Sequence, residues 1–234
     1  MYKLSDIRQL IKDKLAEGSD EFFTTDIINK EINTTLAEIA TETLCYYVVS
    51  KTLVEKETDG IICPPDFIDI IEFAVNNQMY TRISFGELAE YIGDDAVFPN
   101  DFVYYVRNHK LITLSGLKER DELTLYYNAH FPKLVDGYNE KNEPTDELPM
   151  EFNNLSFIQV VVYGTCWRLK ERDEDYKAAS YFRDIYMYKL QYIKKNVIRR
   201  KRGHMYWKLG KANMNSPRIL SGGHIWNRAN NING

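Results

Sequence analysis

The sequence predicts an α+β protein: a helical bundle from N- and C-terminal helices, a central antiparallel β-rich insert, and an extended C-terminal tail. Three observations predict it. Apolar residues recur at helix spacing near both ends of the first 197 residues. Runs of β-branched and aromatic residues gather between those ends. Strands and helices are thus segregated rather than alternating, which argues for α+β and against a parallel doubly wound sheet. A chain of 234 residues with 44% hydrophobic side chains is long and apolar enough for a packed core.

Leu4, Ile7, Ile11 and Leu15 predict a first helix that Gly18 ends. Thr24 or Thr25 caps a second, with Ile28, Ile32, Leu36 and Ile39 along one face. From Cys45 to Val54 the pattern turns to strand, Asp59-Gly60 reads as a turn, and the apolar run Phe67 to Val75 reads as strand. Ser84-Phe85-Gly86-Glu87 has capping-box spacing and opens a short helix that Gly93 stops. Further strands are expected at Phe102 to Arg107, Leu111 to Leu114 and Leu123 to Asn128. Residues 132–149, with Pro132, Gly137, Pro144 and Pro149, read as a polar loop. Two long helices follow, about Glu151 to Lys170 and Glu174 to Val197; in the second, Tyr181, Ile185, Tyr188 and Tyr192 line one face, with Phe182 and Leu190 beside it. The expected division is 1–44 and 150–197 for the bundle helices, 45–131 for the insert, 132–149 for the loop and 198–234 for the tail.

Charge separates the ending from the rest. The chain carries 30 basic and 34 acidic residues. Ten of the basic residues and none of the acidic ones lie between Lys194 and Gly234, which leaves 20 against 34, a net of −14, in the remainder. An acidic body with a basic end points to a charged partner. Cys45, Cys63 and Cys166 are odd in number and lack CxxC spacing, which fits reduced core residues of a cytoplasmic protein. Met1-Tyr2-Lys3-Leu4-Ser5-Asp6 lacks the apolar run of a signal peptide, and no apolar stretch is long enough to span a bilayer.

Signals for catalysis are poor. His109, His130, His204 and His224 are far apart and show no metal-ligand spacing. GxGxxG, Walker and GxSxG patterns are absent. Carboxylates cluster at Asp94-Asp95, Glu119 to Glu122 and Glu171 to Asp175 as neighbours in polar connections, which fits solvated faces better than a convergent acid–base pair. The expectation is a protein that is not an enzyme and needs no cofactor or metal.

The candidate binding residues therefore lie in the tail. Arg199, Arg200, Lys201 and Arg202 can contact phosphates, and Tyr206, Trp207 and Trp226 can stack on bases, which is the nucleic-acid reading. The alternative is a strap that orders on a protein partner. Two of the three tryptophans, together with Ile219 and Leu220, are spaced as apolar anchors along a segment that also carries Arg218 and Arg228. Plain disorder beyond a basic helix end is the third reading.

Taken as a whole, the chain resembles the head–tail connector, or tail-adaptor, ring proteins of short-tailed double-stranded DNA bacteriophages. The resemblance rests on order and texture over residues 4–197. The carriers are "LSDIRQLIKDKL"; "TTDIINKEINTTLAEIATET" with an Asn near its middle; "IICPPDFIDII"; "YYVRNHKLITLSGLKERDELTLYYNAHFPKL"; and "LPMEFNNLSFIQVVVYGTCWRLKERDEDYKAASYFRDIYMYKLQYIKK". It implies a non-enzymatic virion protein, assembled in the host cytoplasm. Copies would form a ring, typically twelve-fold, at the head–tail junction, joining the portal protein to a downstream tail or second ring protein. The C-terminal segment would dock on a neighbouring ring. DNA would pass through the channel during packaging and ejection without sequence-specific binding, since an acidic lumen repels phosphate.

Overall fold

A computed structural model describes residues 2–15, 23–84, 86–88, 102–137 and 145–211, with side chains to residue 196. Residues Met1–Val197 form one compact unit and Ile198–Gly234 a second. In the first lie helices α1 (Leu4–Leu15) and α2 (Thr25–Thr43), then seven strands: β1 (Tyr47–Leu53), β2 (Thr58–Ile62), β3 (Phe67–Val75), β4 (Gln78–Arg82), β5 (Val103–Arg107), β6 (Lys110–Leu117) and β7 (Glu122–Ala129). Helix α3 (Leu155–Arg172) follows, and α4 (Tyr176–Lys211) runs past the end of the unit.

The strands make one sheet in the order β1-β7-β3-β4-β5-β6-β2. Its two outermost strands, β1 and β2, are consecutive in the chain and joined by residues 54–57 alone. Six strand spacings in a flat sheet come to roughly 29 Å. The five Cα steps from Leu53 to Thr58 reach about 19 Å at most. The sheet must therefore curl until its edges approach, and it forms a half-barrel. The bend falls at β4, whose first residues pair with β3 (Val75 with Gln78, Phe73 with Tyr80) and whose last pair with β5 (Thr81 with Val103, Arg82 with Tyr104).

This corrects the expected architecture. The sheet is mixed, since β4 and β5 run parallel, and it is a strand-rich half of the unit rather than an excursion from a helical bundle. The helices sit mainly toward the chain ends and do not form a clear bundle. Strand β4 has no counterpart among the predicted strands because Gln-Met-Tyr-Thr-Arg lacks a β-branched or apolar run. Its local signal is the turn before it: Asn76 and Asn77 both adopt positive φ (49° and 64°), the conformation that a two-residue hairpin loop requires. Asn108 and His109 (49° and 58°) do the same between β5 and β6. Asp59-Gly60, expected as a turn, lies inside β2, where a Cβ on Gly60 would collide with the Leu111 carbonyl. The second C-terminal helix, expected to end at Val197, continues to Lys211, so residues 198–211 are helical rather than extended.

Two large apolar cores result, beside a small cluster of Ile83, Leu88 and Val103. The half-barrel closes around Phe73, Leu111, Leu117, Leu123, Leu125 and Tyr127. The helices bury Ile7, Ile11, Ile32, Leu36, Ile39, Ile158, Val161 and Leu169 among themselves. Tyr46, just before β1, packs against both. Its ring stacks on Phe131 at 4.9 Å, and Phe131 meets Phe152 edge-on at 4.9 Å. The chain crosses between cores at this aromatic joint. Leu44, the left-handed cap of α2 (φ 50°), turns the chain toward it, its N–H bonding the Ala40 carbonyl.

Expected caps are in place. The Thr24 hydroxyl accepts the Ile27 N–H, and Ser84 and Glu87 exchange the two bonds of a capping box. The Asn33 side chain, near the middle of α2, accepts the Leu134 N–H (2.8 Å) and donates to the Leu134 carbonyl (3.0 Å), which pins the connection after β7 to the helix. Where α2, α3 and α4 meet, Gly164 leaves room for Thr35 and Tyr186: a Cβ there would lie 2.6 Å from Thr35 Cγ2 and 2.8 Å from Tyr186 Cε2.

Both neighbours are fully buried, so they have little room to yield. Gly164→Ala is therefore expected to cost about 1–3 kcal/mol through overpacking, measured as a lower midpoint in denaturant unfolding.

Candidate functional site

On the described part of α4, two stripes run along one helix. Ala179, Phe182, Tyr186, Leu190 and Ile193 recur at helix spacing and face the core. Tyr181, Tyr188 and Tyr192 form the other stripe and are exposed, Tyr188 by 77%. The face read from the sequence, Tyr181, Ile185, Tyr188 and Tyr192, has its tyrosines exposed, while Phe182 and Leu190, read as lying beside it, belong to the buried stripe. Both stripes have the same period, and Tyr is apolar enough to read as core. Phe and Leu have no polar edge to leave in water, whereas a Tyr hydroxyl tolerates it, which suits the Phe182 and Leu190 stripe to the core even though Tyr186 is buried with it. Tyr176 and Met187 extend the exposed surface. A row of exposed rings that keep large contact area and a hydrogen-bonding edge is the composition of a protein-contact face.

Beneath it, the helices are tied by charge. Arg168 of α3 pairs with Glu38 of α2, Arg172 with Glu31 (3.4 Å), and Lys194 of α4 with Glu42 (2.6 Å). Two guanidiniums approach the Trp167 ring, Arg168 at 5.2 Å and Arg183 at 5.5 Å from its centre. Burial, reinforced by the neighbouring Glu38 carboxylate, pushes the Tyr186 phenol well above the usual tyrosine range. Of these contacts, the Lys194–Glu42 pair ties α4 to α2 and the Arg183–Trp167 contact ties it to α3.

Other polar groups cluster at the aromatic joint. Tyr127 donates to Asp66 Oδ1 (3.1 Å), and the Asp66 carbonyl accepts the His130 N–H (2.8 Å). Burial first, then the charge of Asp66, raises the Tyr46 phenol and pushes Tyr127 up to about 12. In the half-barrel, burial likewise takes Tyr104 up to about 12. A phenol held protonated beside a carboxylate makes a rigid link, not a proton donor or acceptor poised for chemistry near neutral pH. Among the described residues no group of three or more His, Cys, Asp or Glu is placed to hold a metal ion, and no helix is long and apolar enough to cross a membrane. Cys63 and Cys166 are buried and Cys45 is half-buried. Burial raises the Cys63 thiol.

The structure places part of the predicted binding set. Arg199, Arg200, Lys201, Arg202, Tyr206 and Trp207 lie on the helical backbone of α4. At about 100° per residue, four consecutive cations are distributed around the axis rather than along one stripe. By register, Arg199, Arg202 and Tyr206 share a face, and Arg200 shares one with Trp207. Arg218, Ile219, Leu220, Trp226 and Arg228 lie outside the described residues. The exposed tyrosine row was not in the predicted set; the double periodicity of α4 is the signal that reveals it.

Searched against protein-family models and against curated proteins, the chain matches none.

The buried phenols set an alkaline limit on stability. Between pH 10 and about 12 the unfolded chain has released the Tyr104 and Tyr127 protons while the folded chain keeps them, so unfolding releases protons and stability falls as pH rises. Tyr127→Phe is expected to flatten that decline over the same window, read from denaturation midpoints, while weakening the fold at neutral pH through the lost Asp66 bond.

Proposed function

We propose that this chain is a structural connector of a bacteriophage virion: copies assemble as a ring between the portal and the tail, and the basic C-terminal segment fastens that ring to its neighbour. The observation that carries the reading is the charge division, ten cations and no acid from Lys194 to Gly234 against a net of −14 elsewhere. A body that repels phosphate suits a wall along which DNA slides, while a basic segment studded with aromatic anchors suits a protein groove of opposite charge. The resemblance described above supplies the twelve-fold ring and the portal as neighbour.

The tail divides its labour. Arg199, Arg200, Lys201 and Arg202, with Arg218 and Arg228, steer the segment to its receptor, and Tyr206, Trp207, Ile219, Leu220 and Trp226 hold it there. Repetition around a ring turns a weak single attachment into a firm one. The row Tyr181, Tyr188 and Tyr192 supports the same reading, because a ring needs a side-to-side contact face and this one is exposed on a helix that the Lys194–Glu42 pair ties to α2.

Four consecutive cations distributed around a helix favour a second reading, in which the segment grips nucleic acid. Salt dependence separates the two. A DNA grip loses affinity steeply as salt rises, whereas an anchor-held protein strap does not. Deleting residues 198–234 is expected to leave a folded body that no longer joins portal-containing particles in a sedimentation assay. Normal joining by the truncated chain would sink the strap. Trp207→Ala and Trp226→Ala are each expected to reduce joining about tenfold or more, as loss of a buried aromatic anchor does, and Arg228→Ala by much less.

A further inference from the structure

The two edges of the half-barrel differ. On β2, whose contacts with β6 pair Ile61 with Leu111 and send the Cys63 N–H to the His109 carbonyl, Gly60 and Ile62 turn their backbone groups outward. The Thr58 hydroxyl then closes Gly60: it accepts the Gly60 N–H (3.3 Å) and donates to the Gly60 carbonyl (3.0 Å), beside a register shift in the strand. An edge blunted by its own side chain and an irregular register resists pairing with another strand.

Strand β1 has no such protection. The Ala129 N–H bonds the Tyr46 carbonyl and the Val54 N–H bonds the Asp121 carbonyl, which with the β1–β7 register fixes residues 46, 48, 50, 52 and 54 as those bonded to β7. Tyr47, Val49, Lys51 and Leu53 thus present N–H and carbonyl groups to the open edge, with no partner among the described residues. Their side chains share one face, and Tyr47 and Leu53 are exposed by 62% and 63%. Seven regular residues, three of the four outward ones apolar, form a bare pairing edge of the kind folded proteins normally cover.

We infer that the occupant is β1 of a second copy, paired antiparallel about Ser50. That register is self-complementary. Tyr47 meets Leu53 of the second copy twice, Val49 meets the apolar stem of Lys51 twice, and every outward backbone group gains a partner. The two Lys51 ammonium groups fall on a diagonal rather than opposite each other, and each already lies 3.6 Å from Glu122 of its own chain. On the other face Ser50 meets Ser50 and Val48 meets Thr52, pairs without charge conflict. The contact is isologous and closes at two copies, so it is not the head-to-tail contact a ring requires. It goes beyond the connector reading, as the form of the isolated chain in solution, and either can fail without the other.

Sedimentation equilibrium of the purified full chain tests it. The expected mass is twice the 27.5 kDa of one chain, and dilution halves it. Val49→Pro removes an N–H that faces the open edge and not β7, so the fold is kept, as circular dichroism reports, while the mass falls to that of one chain. Ser50→Cys, in a Cys45→Ser background, is expected to form a disulfide-linked pair on mild oxidation at least tenfold faster than Thr52→Cys, because only residue 50 meets itself across the axis. A chain that stays monomeric at every concentration, an oligomer that Val49→Pro leaves intact, or equal cross-linking at 50 and 52 would each overturn the pairing.

Discussion

Four residues, Val54 to Lys56 and Glu57, join the two outermost strands of a seven-stranded sheet, and most of the architecture depends on how short that link is. A flat sheet would hold its edges too far apart for it. The strands must curl, and a curled sheet turns one face onto itself. Phe73, Leu123, Leu125 and Tyr127 then pack within the sheet instead of against a layer of helices. The helices, left without a sheet to cover, bury their own stripes together.

What remains is to hold two cores in register. The aromatic group of Tyr46, Phe131, Phe152 and Phe157 carries that junction, with ring centres between 4.9 and 5.9 Å for the contacting pairs. Polar ties reinforce it at separate points of the chain. Asn33 secures the segment after β7, and Arg8 secures Asp136 by two bonds (3.0 and 2.8 Å). Asn153 exchanges two bonds with the backbone of Tyr2 (2.6 and 3.0 Å). Residues far apart in sequence are thus brought together by directional hydrogen bonds over a non-directional apolar contact, and this fixes orientation as well as proximity.

Ion pairs join α2, α3 and α4. Most are partly exposed, and such pairs contribute little free energy. Arg168 and Arg172 tie α3 to α2, and Lys194 ties α4 to α2.

Local chemistry was legible in the sequence and long-range pairing was not. The spans of α1, α2, β3, β5, β6 and β7 lie close to the expected ones, because helix periodicity, caps and β-branched runs act over a few residues. The acidic body and the basic ending are properties of composition and need no structure at all. The curl, the parallel β4–β5 pair, the inclusion of Gly60 in a strand and the choice between the two stripes of α4 were decided only in three dimensions. Each turns on a partner distant in sequence: β5 for β4, the Leu111 carbonyl for Gly60, and the α2–α3 surface for α4. A periodic pattern states that a face will be buried; which of two equivalent faces it is depends on the neighbour that arrives.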